Sequence, residues 1–211
     1  MGSPKIHLAS ASSRRLEMLK KALLGQCVSI SASPLVSPEI TPPTGLDVGE
    51  QVAAVLANKI QSAKVEFSLQ LESENIIPDF IIVADTLVED PEDFKISLGQ
   101  PNDRNSGAVM LLRLSGGCHN VWSGTAVLSR DESGWKIISN VEYATVEIDD
   151  LSPEIIIELL ESNSWVGKAG GYDLAGEMGN YARVISGDEN CVLGFSPLII
   201  EHLIKQISQF D

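Results

Sequence analysis

The chain has 211 residues and carries 15 Lys plus Arg against 29 Asp plus Glu, a formal net charge of −14. Nucleic-acid polymers are bound through counterion release at basic surfaces, so this charge disfavours a DNA- or RNA-binding protein. The apolar fraction of 44% argues against wholesale disorder. No apolar run reaches the roughly 20 residues that span a bilayer. We therefore expect a single globular domain over residues 1–211 that does not associate with membranes.

The cysteines and the N-terminus bear on the cellular compartment. Cys27, Cys118 and Cys191 are odd in number and far apart, which predicts neither a disulfide framework nor a CxxC metal motif. Residues 1–10 lack the apolar stretch of a secretory signal. We expect a cytoplasmic protein.

The first half of the chain alternates strand-like and helix-like segments. The pattern predicts, in order, a strand over 5–8, a helix capped by the serines of 10–13, a strand over 28–33, a proline-rich loop over 34–49, a helix over 52–65 and a polar connection over 69–78. The apolar run Phe80–Ala84 is typical of a strand buried on both faces, and we expect it to end at Asp85.

The second half predicts a fold with a mixed sheet. The expected elements are an acidic, solvated hairpin tip over 89–93, a helix from 102 or 103 to 114, strands over 120–129 and 135–148, a helix over 153–162, a glycine-rich loop over 167–179, a strand over 181–185 and a helix over 197–210. The two long strands are typical of an antiparallel hairpin. Helices and strands are otherwise interleaved, so we expect an α/β protein with a mixed, elongated central sheet flanked by helices.

The segment Leu8–Leu19, LASASSRRLEML, is the first candidate for chemistry. A strand enters a serine-rich turn and then a helix with Arg14 and Arg15 in its first turn. Helices favour acids there, because the helix dipole is positive at that end. Two arginines are tolerated if an anion binds beside them. The alternative is capping serines with two surface arginines.

Asp85, at the expected strand end, is the second candidate. Functional groups of α/β proteins gather at the carboxyl ends of strands, and a carboxylate there can hold Mg²⁺ or accept a proton from water. The alternative is a carboxylate that caps a turn. Thr86 beside it offers a hydroxyl contact.

Two lysines complete the candidate set. In GKAGGY, residues 167–172, glycines let backbone N–H groups approach an oxyanion and Lys168 adds a positive charge, although a plain turn is the better interpretation of the string taken alone. Lys59 lies on the predicted helix after the proline-rich loop, where a solvated surface lysine is the alternative. The chain has no GxxxxGK[ST] motif, and its three histidines lack zinc-binding spacing. Together, the four cations can neutralise a triphosphate while Asp85 holds a metal ion or a water.

The ordered motifs of the chain resemble the Maf family of septum-formation-inhibitor-like nucleotide pyrophosphatases. The resemblance covers about residues 6 to 210 and rests on LASASSRR, IIVADTLV, LGQP, RLSGGCHNVWSG, GKAGGY and CVLGFSP. It implies a mixed sheet in two lobes around a cleft. It also implies hydrolysis of nucleoside triphosphates to a monophosphate and pyrophosphate, a divalent cation such as Mg²⁺ or Mn²⁺, and often a homodimer.

The resemblance also assigns roles to residues. It implies catalytic roles for Asp85, Lys59 and Lys168, with Asp85 and Glu39 as metal ligands. The implied substrate-binding residues are Ser10, Ser12, Arg14, Arg15, Thr86, Gln100, Gly170 and Ala175.

Two positions depart from the family pattern. Gln100 stands where the family has a lysine, and Ala175 stands where the pyrimidine-nucleotide branch has a glutamine. Arg14 and Thr86 match the other specificity positions of that branch, so dTTP, UTP or modified pyrimidine nucleotides are the expected substrates. The departures keep open a catalytically weak nucleotide-binding or division-regulating protein. An unrelated sugar-nucleotide transferase is a third alternative, resting only on the arginine-rich loop and the acidic strand end.

Overall fold

The structure, a computed structural model, describes residues 3–72 and 78–209. Its strands are β1 (Lys5–Leu8), β2 (Ser29–Ala32), β3 (Phe80–Glu89), β4 (Ser97–Leu98), β5 (Cys118–Asp131), β6 (Gly134–Ile148) and β7 (Ala182–Ser186). Its α-helices are α1 (Ser13–Ala22), α2 (Val48–Glu72), α3 (Arg104–Leu114), α4 (Pro153–Glu161), α5 (Glu189–Leu193) and α6 (Pro197–Ile207). Over these residues, no helix has both the length and the apolar character needed to cross a membrane.

The seven strands form one mixed sheet, which confirms the predicted fold class. The strand order is β2-β1-β3-β5-β6-β7, and β4 pairs with the end of β3. β1 runs parallel to both β2 and β3, whereas all other pairs are antiparallel. The predicted hairpin is β5–β6, which turns at residues 131–134.

Polar side chains cap the N-termini of the helices at positions that the sequence suggests. The hydroxyl of Ser12 accepts a hydrogen bond from the backbone N–H of Arg15 at the start of α1. Asp103 and Ser106 form a reciprocal capping box at α3. Serine followed by proline begins both α4 and α6. Each cap satisfies backbone N–H groups that have no partner within the helix.

The central strand β3 is buried on both faces, as its apolar run predicts. Phe80, Ile82 and Ala84 pack with α1 and α6 on one face. Ile81 and Val83 pack with α2 on the other. A separate core lies around α3 and α4 against the other ends of β5 and β6. The buried residues therefore form separate groups rather than one continuous core.

Several predicted boundaries were wrong. β3 continues to Glu89, so Asp85 lies within the strand rather than at its end. Helix α2 extends beyond 52–65 at both ends, and helix α5 was not predicted. The acidic turn is not uniformly solvated, because Asp90 is buried and paired with Arg113. Residues 73–77 of the polar connection and Phe210 lie outside the described residues.

An interruption along one edge of β3 positions the site. β1 pairs with β3 only as far as Ile82, and β4 pairs with it only from Val88. On that edge, residues 83–87 have no strand partner in the part of the chain that the structure describes. The loops that follow β1 and β4 approach this gap, and the cleft lies there.

Candidate active site

A cavity of about 370 Å³ opens at the interruption in the sheet edge. Its walls come from the loop and helix start after β1, from α2, from β3 and from the loop after α4. It shares Glu39, Asp85, Thr86, Gln100 and Ala169 with a wider chamber of about 830 Å³. Its lining residues are Ser10, Ala11, Ser12, Ser13, Arg14, Arg15, Glu39, Lys59, Asp85, Thr86, Gln100, Val166, Gly167, Lys168 and Ala169. The structure therefore brings together segments that are far apart in sequence: Arg14 meets Asp173 across 159 positions, and Arg15 meets Gly194 across 179.

Lys59 joins the two candidate metal-binding carboxylates. Its Nζ lies 2.7 Å from Oδ1 of Asp85 and 2.7 Å from Oε1 of Glu39. It also donates to the carbonyl oxygen of Ala84 at 3.3 Å. Lys59 is only 8% exposed, so the surface-lysine alternative is wrong. The hydrogen bond from Lys59 lowers the pKa of Glu39 below its usual value, although partial burial opposes this, and the carboxylate stays ionised at neutral pH.

Arg15 is held by neutral oxygens at the inner end of the cavity. It donates from Nη2 to Oγ1 of Thr86 at 2.9 Å and from Nε to the carbonyl of Gly194 at 3.0 Å. The Thr86 hydroxyl lies 2.8 Å from that of Ser123, which donates to the carbonyl of Cys191 at 2.7 Å. Because Ser123 has one hydroxyl hydrogen, Thr86 must donate to Ser123. Thr86 therefore holds Arg15 and has only a lone pair left for a substrate.

Arg14 and Lys168 form a second cationic wall with Asp173. Nη1 of Arg14 lies 3.1 Å from Oδ1 of Asp173, and Nζ of Lys168 lies 2.8 Å from Oδ2. Nε of Arg14 is buried with no hydrogen-bond partner among residues 3–72 and 78–209. Buried donors normally have partners, so the described protein groups leave this guanidinium incompletely satisfied.

The serine-rich turn adds a further feature that suits an anion. The hydroxyl of Ser10 accepts from the backbone N–H of Ser12 at 3.2 Å and receives a long contact of 3.5 Å from Nη1 of Arg15. The turn leads into the N-terminal end of α1, where the helix dipole favours negative charge. Four cations and two carboxylates thus line the cavity of a chain whose net charge is −14. The arrangement can hold and neutralise several phosphate groups.

Three of the predicted substrate-binding residues differ in whether they line the cavity. Gln100 lines both chambers. Gly170 does not line the cavity; its N–H donates to the carbonyl of Gly99 at 3.0 Å, with φ at +71°. Ala175 is exposed and also lies outside the cavity lining, and its N–H donates to Asp173. The roles of these residues in substrate binding remain predictions.

The carboxylate pair fits a divalent metal that also binds substrate. Asp85 and Glu39 offer hard oxygen donors on either side of the Lys59 ammonium. Mg²⁺ in such sites is held by one or two carboxylates together with substrate phosphates. In the part of the chain covered by the structure, no group of three or more His, Cys, Asp and Glu residues could hold a metal by itself. Asp85 and Glu39 are the residues that would hold such a cation, together with phosphate oxygens.

Three residues that shape the site were not predicted from the sequence. Asp173 pairs with two cavity cations, Ser123 orients Thr86, and Gly194 accepts from Arg15. A side chain at Gly194 would lie 2.9 Å from Nε of Arg15, and φ there is +117°. Gly194 lies within CVLGFSP, Ser123 within RLSGGCHNVWSG and Asp173 directly after GKAGGY, but nothing local in these strings marks the three residues as part of the site.

The sequence of the chain matches a family model and several known proteins over most of its length. A family model described as Maf-like protein matches residues 5–207. A dTTP/UTP pyrophosphatase of Clostridium acetobutylicum is 33% identical over 194 residues, which cover 90% of this chain and 91% of that protein. One of Pyrococcus furiosus is 33% identical, covering 95% and 94%. A human protein named as a probable bifunctional dTTP/UTP pyrophosphatase/methyltransferase is 29% identical over 96% of this chain and 31% of its own length.

Proposed function

The chain belongs to the Maf family, and on that premise we propose that it hydrolyses nucleoside triphosphates to a nucleoside monophosphate and pyrophosphate. One observation carries the proposal: Arg14, Arg15, Lys59 and Lys168 converge with Asp85 in a single cavity. The relatives named dTTP/UTP pyrophosphatases support uracil and thymine nucleotides as the substrates. A cytoplasmic homodimer is part of the proposal, and light scattering after size exclusion tests the dimer.

The cations would bind and stabilise the phosphate chain. Arg15 is fixed by Thr86 and Gly194, so its remaining donors point from a rigid support. Arg14 and Lys168, which share Asp173, supply further positive charge to the same cavity. Positive groups that are already in place stabilise the charge that develops on phosphate oxygens in the transition state, without reorganisation at the moment of reaction.

Asp85 would act on the attacking water. Lys59 binds Oδ1, which fixes the carboxylate and leaves Oδ2 for a water that attacks the α-phosphorus. Accepting a proton from that water assists the attack. A divalent metal held by Asp85, Glu39 and the phosphates would supply further charge neutralisation. Pyrophosphate is the leaving group.

The reaction is tested by measuring phosphate release, with added pyrophosphatase, across common nucleoside triphosphates. We expect UTP and dTTP to be hydrolysed fastest. Asp85→Asn should lower kcat at least about a hundredfold, within the range of general-base catalysis. Asp150→Asn removes an exposed carboxylate outside the cavity and serves as the matched control. An Asp85→Asn protein as fast as the parent would show that Asp85 has been assigned the wrong role.

A nucleotide-binding protein with weak turnover is the second candidate. Gln100 favours it, because this neutral residue lines both chambers where the family resemblance implies a lysine. One missing charge-assisted hydrogen bond is worth roughly 1.5–3 kcal/mol. Calorimetry that detects tight UTP binding in saturating Mg²⁺ or Mn²⁺, together with no phosphate release, would select this candidate.

A further inference from the structure

Asp173 joins two cations that reach the cavity from distant parts of the chain. Arg14 comes from the first turn of α1 and Lys168 from the loop after α4, and each contacts a different oxygen of the Asp173 carboxylate. Both cations line the cavity, whereas Asp173 is not among its lining residues. Its side chain is 16% exposed. The carboxylate therefore lies behind the cationic wall rather than in the path of a ligand.

The segment that carries Asp173 is anchored independently of these cations. The neighbouring Tyr172 is buried, and its hydroxyl lies 2.8 Å from Nε2 of the buried His119. Gly170 is held by its hydrogen bond to Gly99. The position of the carboxylate is therefore set by packing on the sheet side, and the two cations adapt to it.

A carboxylate shared by Arg14 and Lys168 lowers two energetic costs of holding these cations side by side. Arg14 and Lys168 carry like charges that repel, and each loses rotamer entropy when it is immobilised. Burial alone raises the pKa of Asp173, but the hydrogen bond from Lys168 and the charge of Arg14 outweigh it, so the pKa lies below its usual value. The ionised carboxylate offsets the repulsion and orders both side chains before a ligand arrives.

Each cation keeps hydrogens for a ligand while bound to Asp173. An ammonium has three hydrogens and a guanidinium has five. We propose that Asp173 is a positioning residue for the polyphosphate tail of the substrate, which holds Arg14 and Lys168 together on one wall. The identity of the ligand rests on the proposed function, while the carboxylate bridge rests on the geometry alone.

Asp173→Asn tests the proposal by calorimetry with inorganic tripolyphosphate and by steady-state kinetics with UTP. An amide has one acceptor oxygen, so its NH₂ group must face Arg14 or Lys168 and release it. We expect binding of tripolyphosphate to weaken about tenfold, and KM for UTP to rise by a similar factor. We expect kcat to change less than about threefold, because Asp85 and Lys59 are untouched and this wall binds the polyphosphate tail alike in the ground state and in the transition state. Asp150→Asn, which also removes one negative charge, should leave both affinities unchanged.

A double-mutant cycle separates positioning from a general effect on the fold. In a Lys168→Met background, adding Asp173→Asn should weaken tripolyphosphate binding less than about threefold, since one of the two partners has gone. A full tenfold loss there would overturn the proposal. So would tighter binding by Asp173→Asn alone, which would show that the carboxylate competes with the ligand. If Asp173→Asn does not fold, Asp173→Ser, which also lacks the charge and the second carboxylate oxygen, takes its place in the cycle with the same criteria.

The same measurements distinguish this inference from the proposed function. A parent protein that binds tripolyphosphate but hydrolyses no nucleoside triphosphate refutes the activity, and the affinities still decide the role of Asp173. A parent protein that hydrolyses UTP but does not bind tripolyphosphate refutes the role of Asp173 at a polyphosphate tail and leaves the activity standing.

Discussion

Replacing Arg15 with lysine keeps the positive charge of the site and removes its fork-shaped geometry. Arg15 reaches three acceptors with three nitrogens: Gly194 at 3.0 Å, Thr86 at 2.9 Å and Ser10 at 3.5 Å. A lysine ammonium is a single point and cannot occupy all three positions. The substitution therefore asks whether the site needs a rigidly held guanidinium or only a nearby cation.

The expected loss follows from these contacts. If the ammonium keeps one of the three, two hydrogen bonds from a charged donor are lost, at about 1.5 kcal/mol each at the lower end of their range. These bonds hold the guanidinium where the phosphate chain would use it. If substrate binding has to restore that position, the cost of about 3 kcal/mol corresponds to a loss of roughly a hundredfold in kcat/KM. The loosened Thr86 hydroxyl acts in the same direction.

The assay is phosphate release from UTP and dTTP with added pyrophosphatase, accompanied by thermal unfolding to verify the fold. Arg104→Lys is the matched control, because Arg104 is exposed and contacts only Glu161, at 3.8 Å, among the ion pairs of the described residues. A kcat/KM for Arg15→Lys within threefold of the parent would refute the reasoning.

Three further predictions concern stability. Asp90→Asn should lower the free energy of unfolding by about 2 kcal/mol at pH 7, since it breaks a buried pair with Arg113. Burial opposes the effect of Arg113, but the pKa of Asp90 is lowered overall, so this difference should shrink progressively as pH falls below the ordinary aspartate pKa of about 3.9. Burial lowers the pKa of His119 to about 4, so the protein should lose about 3 kcal/mol from this residue as pH falls from 6.5 to 4. Gly170→Ala should cost about 2 kcal/mol, because its Cβ would lie 2.9 Å from Val88 at a φ of +71°.

Urea unfolding curves test all three, each with its own comparison. Glu92→Gln removes an exposed carboxylate that also contacts Arg113 and should have little effect. His119→Gln should flatten the pH dependence between 6.5 and 4; an unchanged slope would count against the buried neutral imidazole. Gly117→Ala places a methyl group in open space and should be nearly neutral, so equal losses at both glycines would contradict the steric argument.

Local sequence patterns were sufficient to predict much of the fold. The apolar run of β3, the β5–β6 hairpin and the serine caps are visible in short stretches of sequence, because burial on both faces, turn chemistry and capping each act over a few residues. The end of β3 was predicted wrongly because residues distant in sequence decide it. Asp85 and Thr86 resemble a strand end, but Lys59 and Arg15 supply partners for them, and pairing with β5 continues to Val88.

The features that were missed, in the site and in the acidic turn, depend on contacts between residues far apart in sequence. Asp173 meets Arg14 across 159 positions, and Asp90 meets Arg113 across 23 positions. A carboxylate in a glycine-rich loop or in an acidic run has no local feature that marks it as buried and paired. Lys59 was placed correctly on its helix, but only the fold shows that it turns inward between two carboxylates.

The interrupted pairing of β3 has a consequence for self-association. A strand edge that lacks a neighbour is a template on which another chain can add, and proteins guard such edges. Here the open stretch, residues 83–87, lies under the cleft, flanked by charged side chains. A nucleotide seated there would shield the open stretch, so ligand occupancy would also protect the sheet from edge-to-edge aggregation.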